Sequence, residues 1–254
     1  MRFFINSPLE QFEIQTFMGF SSSLLNISFL NITSFTLYVL LVLSVFYFIN
    51  VYTLKNAKLV STNWNISTEA LYSTIQNMVM NQIGPKGNPY FPFIYALFVF
   101  ILLANYISMI PYNFAIDAQL IFTISMSISI WFGLTILGFA KHKLHYFGLF
   151  VPSGTSLPLA PFLVLIEAIS NVARSISLGL RLGANILSGH LLLTILSGLI
   201  FDLMSSSVIL FIFGFAPLTI FLGIVGLEFA IAGIQAYVFC VLTCSYIKDA
   251  VYLH

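Results

Sequence analysis

Apolar residues along this chain come in long unbroken runs separated by short polar punctuation, and the runs at residues 32–52, 93–110 and 120–140 contain almost no charge. Crossing a hydrocarbon core of about 30 Å takes roughly 20 apolar residues in a helix, whose backbone polar groups are all satisfied within the segment. Each run therefore predicts a membrane helix. The first ends at Lys55 and Lys58, the second at the helix-terminating Pro111, and the third at Lys141, His142, Lys143 and His145, as suits the polar edge of a bilayer. Residues 64–83 follow another pattern. Leu71, Ile75, Met78, Val79 and Gln82 recur at helical spacing opposite Ser, Thr and Asn, which predicts an amphipathic helix lying on the membrane interface. Gly84-Pro85 and Asn88-Pro89 then break it.

Beyond a Pro- and Gly-rich linker at 148–161, the chain stays apolar almost to its end, interrupted by Asp202 and the run Ser205, Ser206 and Ser207. Two long helices are predicted, at 161–198 and 206–252. At about 1.5 Å per residue the first alone extends about 55 Å, so it must tilt, bend or break within a bilayer. Pro217 and Gly223 are the expected bend points of the second. The predicted architecture is a single all-α polytopic membrane domain over 1–254. It has about five membrane-embedded helices, the last two strongly tilted and forming a hairpin, plus the interfacial helix. Lys55, Lys58, Lys86, Lys141, Lys143 and Lys248 fall on one side and Arg2 alone on the other. By the positive-inside bias the amino terminus lies outside and the carboxyl terminus inside, which fits an odd number of crossings.

Composition narrows the classes further. Of 254 residues, 59% are hydrophobic and 7% charged, which excludes a water-soluble globule. A net charge of +1 with no basic stripe excludes nucleic acid as a partner. Cys240 and Cys244 share a helix face inside an apolar run and read as small buried hydrophobes. The amino-terminal residues match neither a secretory signal nor an Arg-rich presequence. The glycosylation patterns at Asn26, Asn31 and Asn65 are short enough to arise by chance.

Charged side chains at membrane depth cost several kcal/mol and normally mark an ion or substrate path. The first long stretch carries Glu167, Arg174, Arg181, Asn185 and His190; the second carries Glu228, Gln235, Tyr246, Lys248 and Asp249. At about 100° per residue, Glu167, Arg174 and Arg181 recur every seven positions and form one stripe with Asn185, which Ser170, Ser177 and Ser188 join. His190 falls on the opposite face from Arg181. Glu228, Gln235, Tyr246 and Asp249 make a second polar stripe, opposite Gly226, Ala230 and Gly233, whose small size admits a neighbouring helix. Internal pairing, Glu167 with Arg174 or Arg181 with Glu228, would explain some of these charges. A path for a cation or proton explains why titratable groups are spread through the depth of the bilayer.

The segment Ser177-Leu178-Gly179-Leu180-Arg181-Leu182-Gly183-Ala184-Asn185-Ile186 resembles the signature of the F-type ATP synthase subunit a family. His190, Glu228, Gln235 and the Lys248-Asp249 ending extend the likeness, and Ser7-Pro8-Leu9-Glu10-Gln11-Phe12-Glu13-Ile14 is similar to mitochondrial, particularly fungal, members. The resemblance implies a stationary, non-catalytic subunit of the membrane sector that binds no ATP, needs no cofactor or metal, and translocates protons. Its implied partners are a rotating c-ring of small proteolipid subunits, other membrane-sector and peripheral-stalk subunits, and lipid. Arg181 would be the essential cation separating two aqueous half-channels. His190 and Glu228 would match the intermembrane-space half-channel, and Glu167 and Asp249 the matrix one. Asn185 and Gln235 would support them by hydrogen bonding, Tyr246 would lie on the same polar stripe as Asp249, and Arg174 would form a structural pair. The implied location is the mitochondrial inner membrane, with the amino terminus in the intermembrane space and the carboxyl terminus in the matrix. Residues 1–6 resemble a short leader that some fungal members remove. A proton-pumping respiratory subunit predicts facing His pairs, yet only His190 lies inside a span; a non-transporting membrane scaffold predicts that Arg181 tolerates replacement.

Overall fold

The computed structural model describes residues 12–18, 32–55, 62–110, 113–143, 146, 148, 160–206 and 208–252. The leader-like residues 1–6, the patterns at Asn26 and Asn31, Lys58, Pro111, His145 and most of the 148–161 linker lie outside them. The elements are β1 (Thr16–Met18), β2 (Ile32–Thr33), α1 (Ser34–Lys55), α2 (Asn63–Ile83), α3 (Phe91–Ser108), α4 (Leu120–His142), α5 (Ala160–Ser206), α6 (Val208–Phe213) and α7 (Phe215–Val251). Among the described residues, five helical stretches are long and apolar enough to cross a membrane, and α2 is not one of them. The protein is an all-α polytopic membrane protein in class, with one addition. β1 and β2 pair antiparallel, Thr16 opposite Thr33 and Met18 opposite Ile32. Such short strands carry no periodicity that a sequence pattern could register.

Local chemistry sets the helix boundaries. α2 ends where Gly84 takes a φ of 82°, its N–H donating to Met80 O at 3.0 Å; glycine adopts this conformation without a Cβ penalty, and Pro85 then prevents continuation. The buried face of α2 is Asn65, Ile75, Met78, Val79 and Ile83. Leu71, expected on that face, is 38% exposed, because the buried stripe follows the 75, 78, 79, 83 spacing rather than extending back to 71. α5 runs to Ser206, past the expected end at 198. Asp202 and the following serines do not stop it, since Ser205 and Ser206 hydroxyls donate to the carbonyls of Asp202 and Leu203 at 3.1 and 2.9 Å and so satisfy themselves on the helix.

The second long stretch is interrupted at Gly214, between α6 and α7. Pro217 accounts for it. Proline has no N–H to give Phe213, four residues earlier, and its ring clashes with that carbonyl, so the distortion falls one turn before the proline. Bonds from Gly214 N to Leu210 O and from Leu218 N to Gly214 O, 2.9 and 3.2 Å, carry the chain across. Gly223, the other expected bend, sits inside uninterrupted α7.

The described residues group into two compact units. One draws on 1–49, 100–119 and 184–235; the other on 50–99, 120–183 and 236–254. In the first, the 113–119 loop is held by Tyr38 of α1 against Phe114, ring centroids 5.9 Å apart, and by Ala115 and Ala118 packing on Ile186 of α5, with Phe12 and Leu187 against them. Gln119 Nε2 donates to Phe12 O at 2.6 Å. In the second unit, Ser175 Oγ of α5 donates to Ser127 O of α4 at 3.2 Å. The backbones meet at Gly179, where a Cβ would stand 2.6 Å from Thr123 O and 2.9 Å from Ile124 Cα.

Candidate functional site

In the first unit, polar side chains of α3, α5 and α7 converge. Asn185 Nδ2 donates to Gln235 Oε1 at 3.3 Å, and Asn105 Nδ2 donates to Ala232 O at 3.0 Å. Tyr106 stacks on Phe229, centroids 4.6 Å apart, and its hydroxyl occupies the space beside Gly233, 2.9 Å from where a Cβ would lie. These contacts fix α7 against α3 by small residues and amide bonds, the usual means where lipid removes any hydrophobic drive between helices. Gly226, expected to admit a neighbour, has nothing within 4 Å of a Cβ position.

Glu228 is 5% exposed, and a Cβ at Gly189 of α5 would collide with its carboxylate. The glycine is what gives that carboxyl its room. His190, the next residue, turns the edge of its ring toward Phe12, centroids 6.3 Å apart at 80°. Among the described residues, both Glu228 oxygens, His190 Nε2, Gln235 Nε2 and Asn105 Oδ1 are buried without a hydrogen-bond partner. Buried polar atoms are nearly always paired, and these belong to the unit that holds His190 and Glu228.

In the second unit, Arg174 Nη2 donates to Glu167 Oε1 at 3.1 Å, the only ion pair among the described residues. Two helical turns separate them, a gap that the long guanidinium arm spans. Arg181 lies exposed and makes no ion pair among the described residues. Its orientation follows from Gly179: two residues is about 200° of helix, so contact of α4 at Gly179 turns Arg181 away from that contact. Tyr246 of α7 is within electrostatic reach of Arg174, Arg181 and Asp249. Tyr146 is buried against Gly138 and Phe139, and burial, reinforced by the charge of Asp249, raises its pKa. Two of the three serines placed on the polar stripe bond to their own helix, Ser177 to Arg174 O at 2.9 Å and Ser188 to Asn185 O at 3.1 Å. Cys240 and Cys244 are free thiols, fully buried.

Of the expected residues, Asn185, His190, Glu228 and Gln235 thus belong to one unit, and Glu167, Arg174, Arg181, Tyr246 and Asp249 to the other. Three contributors were missed from sequence. Asn105 and Gly189 gave no signal, since an amide and a glycine are ordinary within membrane helices. Asp117 gave one: it is the only charge in a loop of Phe, Ala and Ile, and it is fully buried. Burial disfavours the carboxylate and pushes its pKa up to about 7.

Comparison with known proteins agrees along the whole length. The family described as ATP synthase A chain matches residues 33–248. Proteins named ATP synthase subunit a are similar to this chain in Kluyveromyces lactis, 56% identical over 255 residues and covering 100% of both chains. The same name is carried by relatives in Saccharomyces cerevisiae, 55% identical over 252 residues, 99% of this chain and 97% of the relative, and in Yarrowia lipolytica, 52% identical over 255 residues and 100% of both. With a family match over most of its length and relatives above half identity from end to end, the chain belongs to the ATP synthase A chain family.

Proposed function

We propose that this chain is the stationary proton-channel subunit of an F-type ATP synthase membrane sector in the mitochondrial inner membrane. It is non-catalytic, needs no cofactor, and works against a rotating c-ring of carboxylate-bearing subunits. The observation that carries this reading is Arg181, a cation on the exposed face of an apolar helix, with no ion pair among the described residues. A guanidinium keeps its proton in a poorly solvated interface, because its pKa lies above about 12. It attracts an ionised carboxylate of a passing subunit by about 4 kcal/mol at roughly 4 Å and an effective dielectric of about 20. That attraction biases position without trapping the rotor. A protonated carboxyl feels little of it and moves on into lipid.

In this reading His190 and Glu228 serve the intermembrane-space half-channel, with Asn185 and Gln235 bonding carboxyl or water in either protonation state. Asp249 and Glu167 serve the matrix half-channel, Tyr246 lies beside them, and Arg174 holds Glu167 in a fixed pair. Each charge crossing the field gains about 2.3 kcal/mol per roughly 100 mV, which makes rotation directional. Replacing Arg181 with Ala is expected to abolish ATP synthesis while the complex still assembles. Normal synthesis by assembled Arg181→Ala enzyme would reject the proposal. Glu228→Gln should slow proton flux through reconstituted vesicles more than it harms assembly.

A further inference from the structure

Among the described residues, Asp117 is the one carboxyl that the mechanism above leaves unused while the fold encloses it completely. It has 0% exposure, and neither carboxyl oxygen has a hydrogen-bond partner among the described residues. Its neighbours Phe114, Ala115, Ile116 and Ala118 are all buried as well, so the loop is packed rather than solvated. The loop is also fixed in place. Tyr38 holds Phe114, Gln119 bonds Phe12 O, and Ala115 and Ala118 sit on Ile186. Ile186 lies one helical turn before His190, about 40° away around α5, and the same Phe12 that packs against this cluster meets the His190 ring. His190 in turn follows Gly189, whose missing side chain accommodates Glu228.

We propose that Asp117 is a proton-relay residue of the His190 and Glu228 path, exchanging protons between the outer aqueous phase and His190. The inference rests on the proton-channel reading and extends it by one residue. An ionised carboxylate with no cation or donor beside it is disfavoured at full burial, so the neutral acid stays populated up to about pH 7. A neutral carboxyl both donates and accepts. In the relay step its O–H bond breaks as an N–H bond forms on His190 Nε2, the proton being carried through water. This leaves carboxylate and imidazolium, and the carboxylate then takes a proton from the outer phase. The imidazolium passes its proton on to Glu228. The titratable groups on the elements packed on the loop are His190 on α5, Tyr38 on α1 and Glu13 beside Phe12, and Glu228 on α7 lies against Gly189 of the same unit. Of the two carboxylic acids in this set, Glu13 is exposed and Glu228 is already in the path.

The test uses the whole complex in reconstituted vesicles, with proton flux driven by an imposed gradient and normalised to assembled complex. Asp117→Asn, which matches volume and removes titration, is expected to lower flux about tenfold or more and to remove the part of the pH profile that titrates near 7. Asp117→Glu is expected to restore most of both. Asp117→Ala gives the same readout if Asn impairs assembly. Wild-type flux with a wild-type pH profile in Asp117→Asn or Asp117→Ala would overturn the relay. So would a loss that Asp117→Glu fails to rescue, since that marks a packing role. The wider reading fails separately, if Arg181→Ala and Glu228→Gln also conduct and synthesise normally.

Discussion

At the scale of single residues, the first unit is governed by how little room separates α5 from α7. A methyl group at position 189 would occupy the space of the Glu228 carboxylate. Gly189→Ala should therefore displace that carboxyl and reduce proton flux on the order of tenfold to a hundredfold, as misplacing a transfer group by about 1 Å does. Flux in vesicles measures this, and unchanged conduction would show that Glu228 tolerates displacement. Asp117 adds a pH effect on stability of definite sign. Its pKa in the folded chain is about 7 against 3.8 for the free group, so between those values the native state binds more protons than the unfolded state. Stability contributed at this position is then highest below about 3.8 and falls as pH rises through 7. The thermal midpoint of the complex should drop over that interval in the natural sequence, and the drop should shrink in Asp117→Asn.

Among the elements, α5 holds five of the residues proposed for the site, Glu167, Arg174, Arg181, Asn185 and His190, and packing sets how they are presented. Ser175 and Gly179 let α4 approach the α5 backbone directly, and that contact determines which way Arg181 faces. Gly179→Val would force α4 away from the Thr123 carbonyl and Ile124, overpacking that costs about 1–3 kcal/mol. The expected result is a lower midpoint of thermal or detergent-induced unfolding, with weakened coupling because Arg181 loses its fixed direction. The paired Glu167 and Arg174 were legible from their seven-residue spacing, because a helix repeats its face at that interval. The kink at Gly214 was only half legible. Pro217 announces a break, but the displacement of that break by one turn is a property of the hydrogen-bond ladder rather than of the proline itself.

For the molecule as a whole, two basic residues of the second unit, Lys86 and Lys141, meet tyrosine rings. Lys86 lies over the Tyr252 ring at 4.8 Å, and Lys141 over the Tyr90 ring at 5.3 Å, while the Tyr252 hydroxyl sits beside Gly84. Lys86 and Asn113 flank the apolar run 93–110 in the sequence, so the positive-inside bias would put Lys86 toward the matrix and Asn113 toward the intermembrane space. Single cysteines at Lys86 and Asn113, in a chain whose natural cysteines are buried, should label from opposite sides of the membrane; labelling from the same side would reverse or refute the orientation. Large exposed apolar side chains along the spans, among them Ile121, Phe162, Ile220 and Leu222, face lipid or a partner subunit rather than water.

The number and character of the spans were written in the sequence, because a bilayer allows one solution for a long apolar run and the run length can be counted. So was the location of the charged stripes, since helical periodicity alone places Glu167, Arg174 and Arg181 together. What the sequence could not supply depends on contacts between segments distant along the chain. That Gly189 makes room for Glu228, that Asn105 reaches the α7 backbone, and that a loop acid at position 117 is buried all arise from helix against helix and loop against helix. No periodicity within one segment encodes which partner will cover it. Tertiary packing alone buries Asp117 and moves its pKa up to about 7.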